Sequence, residues 1–118
     1  MLKRRFETLT EKIDFILFRQ QLLFDNDDLS RILFEYEVSE KEYKTIMDLM
    51  EAYRETISEG RCVNHGEFEA GVYAIVPHLL GNYHFCEEIA KAFRDQGRWE
   101  EVFSALYGNL PKFRVPEA

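Results

Sequence analysis

The sequence predicts an all-α protein, a multihelical bundle of about six helices with a long N-terminal helix. Three observations carry that expectation. Apolar residues recur at three- and four-residue intervals from one end of the chain to the other, the spacing that lines one face of a helix. No stretch alternates apolar and polar residues in the manner of a half-buried strand. Helix start signals and glycine stops follow one another closely, so the connections are short and successive helices pack together.

The first helix is expected over about residues 3–24. Leu2, Phe6, Leu9, Ile13, Ile16 and Leu23, with Gln20 completing the alternation, form a coiled-coil type of seam with one polar interruption. Phe15, Phe18 and Leu22 project on the opposite side at about 100° per residue. A helix with two apolar faces cannot satisfy both against a single neighbour. The run Asp25-Asn26-Asp27-Asp28 breaks it, and Asp27 or Asp28 caps a short second helix carrying Leu29, Ile32, Leu33 and Tyr36.

Ser39 followed three residues later by Glu42 is a capping box, with Val38 and Tyr43 placed as the hydrophobic staple of a third helix. Its buried face reads Tyr43, Ile46, Met50, Tyr53 and Ile57, and Gly60 supplies a left-handed stop. Asn64 and Glu67 repeat the cap spacing for a fourth helix bearing Phe68, Val72, Ile75 and Leu79. Pro77 must kink or end that helix, since it lacks the backbone donor. After Gly81-Asn82 a fifth helix groups Cys86, Ile89 and Phe93; Gly97 ends it, and a sixth carries Trp99, Val102, Phe103 and Leu106. One helical domain over 1–118 is the resulting organisation, with an ordered core at about 4–108 and a loosely ordered tail at 109–118.

Composition narrows the function classes. The chain of 118 residues is 46% hydrophobic and 14% aromatic, enough to build a core, while 31% charged residues argue against a membrane protein. Fifteen basic against twenty-two acidic side chains give a formal charge of −7, which repels a phosphate backbone. Nucleic acid is therefore an unfavoured partner, the small cluster Lys3, Arg4 and Arg5 and the tail residues Lys112 and Arg114 notwithstanding. No apolar core follows the basic start, because Glu7, Glu11, Lys12 and Asp14 interrupt it, so a signal peptide is not expected and the cytoplasm is. Two cysteines are too few for a disulfide scaffold, and both are expected to be reduced and buried.

Candidate chemistry is sparse. Cys62, His65, His84 and Cys86 supply the nitrogen and sulfur ligands that zinc takes, but residues two apart on a helix, such as His84 and Cys86, diverge. Cys62 near a helix start, three residues from His65, is the one arrangement that resembles an activated thiol. No glycine-rich phosphate or oxyanion loop accompanies it. Asp25, Asp27 and Asp28 lack the glycine and the distal glutamate of a calcium loop and serve better as caps. Glu87-Glu88 and Glu100-Glu101 are adjacent pairs that diverge, expected on solvated faces. No cofactor and no metal are expected.

Three segments resemble the YhaI-like family of Bacillus and related Firmicutes: Arg5-Phe6-Glu7-Thr8-Leu9, Val38-Ser39-Glu40-Lys41-Glu42, and Phe93-Arg94-Asp95-Gln96-Gly97 with the amphipathic stretch that follows. The likeness spans roughly residues 4–107. It implies an all-helical cytoplasmic protein and lends no catalytic residues. The passage from Ile89 to Val102 also looks like the inter-helix turn of a tetratricopeptide hairpin, though one hairpin is not a solenoid.

The expected function is that of a non-enzymatic, self-associating helical protein, a homo-oligomer that acts through protein–protein interaction. Phe15, Phe18 and Leu22 are the expected interface, since a small core has limited room for ten Phe and six Tyr; cover by the second or fifth helix of the same chain is the other reading of that face. The alternative is a small metal-dependent or cysteine-based enzyme or sensor using Cys62, His65, His84 and Cys86.

Overall fold

The computed structural model describes residues 4–108 and Leu110. Over these residues the chain forms six α-helices: α1 (Leu9–Asp25), α2 (Asp28–Glu35), α3 (Glu40–Ser58), α4 (His65–Ile75), α5 (Tyr83–Asp95) and α6 (Glu100–Tyr107). A single 3-10 turn, Pro77–Leu79, joins α4 to α5, and no strand occurs among the described residues.

At the starts of α1 to α5 a capping side chain satisfies a backbone donor that has no partner within the helix, while α6 begins at Trp99 without one. Ser39 accepts from the Glu42 amide while Glu42 Oε1 accepts from the Ser39 amide at 2.9 Å, closing the expected capping box. Asp27, Asn64 and Asn82 cap α2, α4 and α5 by accepting from Ser30, Glu67 and Phe85. Two glycines end helices in the left-handed region. At Gly97, φ +75°, the Arg98 amide returns to Phe93 O at 2.9 Å and the Gly97 amide to Arg94 O at 2.8 Å. Gly60, φ +80°, repeats that pattern with Arg61 to Thr56 and Gly60 to Ile57. Both are Schellman stops, conformations that a side chain with a Cβ would strain. Pro77 ends α4 as expected, and Val76 before it sits at φ −122°, ψ 73°, outside the helical region.

The core is organised around α5, which packs on α2, α4 and α6, while α3 closes against α4 and α6. Phe85, Cys86, Ile89, Ala90 and Phe93 are inaccessible to solvent, and they meet Ile46 and Met50 of α3, Phe68 and Val72 of α4, and Phe103 and Tyr107 of α6 in one apolar cluster. The turn from α5 to α6 is held by Trp99, whose φ of 51° is a left-handed value unusual for a large side chain. Its indole meets the Phe93 ring edge-on at 4.9 Å between centroids, with the Arg98 guanidinium over its face. That packing over-determines the strained backbone.

Three expectations are corrected here. Helix α1 begins at Leu9, not near Lys3, because Thr8 is its cap and accepts from the Glu11 amide at 3.1 Å. Phe6 therefore precedes the helix and leaves the seam, its ring lying 5.0 Å from that of Phe15. Cys62 is exposed on the link between α3 and α4, whereas Cys86 is buried. Glu87 is buried in α5, not solvated, because the face that carries Cys86 and Ala90 is enclosed by α4 and α6 as well as by α2. The expected loose tail at 109–118, apart from Leu110 packed on the core, lies outside the described residues, as do Lys3, Lys112 and Arg114.

Candidate interaction surface on the first helix

Helix α1 takes its main helix contact from α2 alone. Its inward face is Phe15 and Leu22, 2% and 5% exposed, with Phe18 half-buried and stacked on Tyr43 at 6.5 Å between ring centroids. Two arginines fasten this face. Arg4 grips the Glu42 carboxylate with both terminal nitrogens at 2.5 and 2.9 Å, donates to Glu37 O at 2.9 Å, and lies over the Phe6 and Phe15 rings. Arg19 donates to Phe34 O at 2.7 Å with its guanidinium 3.7 Å from the Phe34 ring centroid. Burial lowers the Arg19 pKa against an opposing upward pull from Glu37. These contacts join charge-assisted hydrogen bonds to cation–π packing, an arrangement for which the guanidinium plane is suited.

Phe15, Phe18 and Leu22, expected from the sequence to face a partner, are thus the residues that hold α1 to its own chain. The opposite face carries the surplus. Leu9 is 72% exposed, Leu17 56%, Leu23 59% and Phe24 86%, with Ile13 and Ile16 also open to solvent. On a helical projection these six side chains cover an arc of about 120°, with the exposed Gln20 near its centre. From Leu9 to Phe24 the strip runs about 22 Å along the axis. Lys12 and Arg19 border one edge, and Thr10, Gln21 and Asp14 the other, as the same projection places them. A continuous apolar strip with polar borders is a common mark of an interaction surface.

Behind α1 lies a cleft of about 1010 Å³ that separates it from the first turns of α3 and the last turn of α4. Its apolar lining comes from Phe6, Phe15, Phe18, Ala74 and Ile75, with Leu17 of the outer strip at its margin, and the acids Glu11, Asp14, Glu40 and Glu42 also border it. The Arg4–Glu42 pair bridges this cleft and is the polar tether between the start of α1 and α3.

The side chains that carry chemistry are placed elsewhere. Cys62 is solvent-exposed and Cys86 is in the core, so the two thiols do not share a site. His65 stacks on the Tyr107 ring, 5.7 Å between centroids, with Nδ1 3.6 Å from Glu69 Oε2, while His84 lies against Tyr83. Among the described residues no group of three or more His, Cys, Asp or Glu side chains is placed to hold a metal ion. Burial, reinforced by the charge of Glu69, pushes the Cys86 thiol up to about 12, which keeps it protonated and poorly nucleophilic.

Tyr107 donates to Glu69 Oε2 at 2.8 Å, and burial drives its phenol well above the ordinary tyrosine range. Tyr73 is pushed up to about 12, again mainly by burial and then by Cys86. This polar cluster ties α4, α5 and α6 together across the core. Nothing local in the sequence announces it, since Glu69 and Tyr107 lie 38 residues apart. Of the basic cluster, Arg4 is consumed by Glu42 and is not offered to phosphate. Asp27 of the acidic run is a helix cap.

No helix among the described residues is long and apolar enough to cross a membrane. No protein-family model, curated protein or solved structure matches the chain.

Proposed function

We propose that this is a non-enzymatic cytoplasmic interaction protein that self-associates through the outer face of α1. The observation that carries the reading is the strip Leu9, Ile13, Ile16, Leu17, Leu23 and Phe24, exposed along one side of a helix whose other side is already anchored. Five positions of that strip, 9, 13, 16, 20 and 23, keep the alternating four–three spacing that seats side chains of one helix between those of another. A second copy of the same chain supplies a matching strip without requiring a further protein, and closed two-fold pairing is the commonest way for soluble chains to cover such a face. The YhaI-like affiliation belongs to this reading and rests on sequence alone; it implies an all-helical cytoplasmic protein and adds no chemistry.

The test is light scattering coupled to size exclusion over a concentration series, comparing the wild-type chain with Ile13→Glu/Ile16→Glu. The expected result is a dimer or larger species for the wild type and a monomer of unchanged helicity for the variant. A wild-type chain that stays monomeric at every concentration overturns the proposal.

A further inference from the structure

The borders of the apolar strip differ in sign, and that difference bears on how two copies meet. On the helical projection Lys12 and Arg19 lie along one edge of the strip, while Asp14, with Thr10 and Gln21, lies beyond the other. Among the described residues neither Lys12 nor Asp14 forms an ion pair within the chain, and both are exposed. When two identical helices pair in parallel about a two-fold axis, the left edge of each meets the right edge of the other. When they pair antiparallel, like edges meet. The Arg19 guanidinium is held on Phe34, so Lys12 is the cation this border presents; the antiparallel arrangement sets the Lys12 edge against its own copy, and the parallel one sets it on the side of Asp14.

Gln20 gives an independent reason. Its amide is exposed near the centre of an otherwise apolar strip. A parallel, in-register pair brings two such amides together at the axis, where each can donate to and accept from the other. Reversal or slippage sets the amide against apolar side chains, with its polar atoms removed from water and unpaired. A single polar side chain inside a helical seam fixes register in this way.

We infer that two copies of this chain pair their α1 helices in parallel and in register, Gln20 opposite Gln20, with the Lys12 edge of each helix facing the Asp14 edge of the other. This rests on the proposed self-association and specifies its geometry. Both copies then present α2 and the body behind it from the same end of the helix pair, so the assembly has a polarity.

Single-cysteine cross-linking tests it, in full-length Cys62→Ser protein whose remaining thiol, Cys86, is buried. Leu9→Cys and Leu23→Cys are made separately, both at exposed positions that leave the monomer's packing untouched. Under mild oxidation each variant alone is expected to form a covalent dimer, because parallel pairing puts every seam residue next to its own copy. The two positions are about 21 Å apart along the helix. A reversed pair links only when the two variants are mixed, and that result overturns the parallel geometry while leaving self-association intact. Absence of links in both formats, together with a monomer by light scattering, removes the parent proposal as well. A dimer that forms no link at either position places the contact on another face and overturns both.

Charge reversal is a second readout that does not rely on cysteine chemistry. Lys12→Glu is expected to weaken the dimer about two- to fivefold, and adding Asp14→Lys to restore it. Tighter association of Lys12→Glu alone is the antiparallel outcome and defeats the inference.

Discussion

Helices α1 and α5 are both amphipathic by sequence, yet the fold uses them in opposite ways. Of the 13 residues of α5, seven are buried; of the 17 residues of α1, two are. Helix α5 is enclosed by α2, α4 and α6, and its stability comes from apolar contact on several sides. Helix α1 is pinned along one narrow stripe by Phe15, Leu22 and the two arginines, and it keeps more large apolar side chains exposed than buried. Length and hydrophobicity do not decide which helix forms the core. The number of faces that find neighbours does.

The sharpest way to break that contrast is to hollow out both helices and compare the losses. Phe93→Ala removes a fully buried ring from the centre of α5 and is expected to cost about 3–5 kcal/mol, read from urea unfolding midpoints. A loss no greater than that of a change in α1 would mean the two helices contribute alike.

Alkaline pH probes α5 by a different route. The Cys86 thiol has an ordinary value near 9.0 and is held at about 12 in the fold. Above pH 9 the unfolded chain releases this proton while the folded chain retains it, so the unfolded state binds fewer protons and stability falls as pH rises. The tyrosines with raised values, Tyr36, Tyr73 and Tyr107, add to the fall from about pH 10 upward, in the same direction. By pH 11 the thiol alone is expected to cost on the order of 3 kcal/mol, and Cys86→Ala should flatten the slope of stability against pH between 9 and 11 relative to the wild type.

Phe15→Ala is expected to cost less than Phe93→Ala, about 2 kcal/mol, because the Phe15 ring borders an open cleft that water can enter once the ring is gone. Hydrogen exchange should show the loss concentrated in the α1 amides, with α5 protection changed little. Uniform loss across both helices would mean that α1 unfolds only with the whole chain.

The smallest effect is expected on the outer face. Leu9→Glu should shift monomer stability by no more than about 0.5 kcal/mol, since that side chain is already in water. A large loss measured at concentrations where the chain is monomeric would mean that the strip is covered by its own chain.

Much of this architecture is legible in the sequence. The caps at Ser39 and Asn64, the glycine stops at Gly60 and Gly97 and the break at Pro77 are local devices, and local devices can be read from sequence. The start of α1 was also written there, as Thr8 followed by Glu11, but a longer apolar periodicity reaching back to Leu2 masked it. The inward face of α1 was not legible. Both of its faces are apolar, and what selects the Phe15 side is a pair of long-range clasps, Arg4 to Glu42 and Arg19 to Phe34, separated by 38 and 15 residues. Nor could periodicity announce Trp99 as the left-handed start of α6, because its ring is packed by Phe93 and Arg98 across the turn.

The two thiols stand at the extremes of this fold, and they equip it with a chemical stopwatch. A thiol reagent meets Cys62 at once, on an open link. It reaches Cys86 only when α5 parts from its neighbours, because the sulfur is enclosed and protonated until then. The first reaction starts the clock and the second reads it. At reagent concentrations where modification outpaces reclosing, the interval between them is the waiting time for the core to open, measured in native buffer with no denaturant.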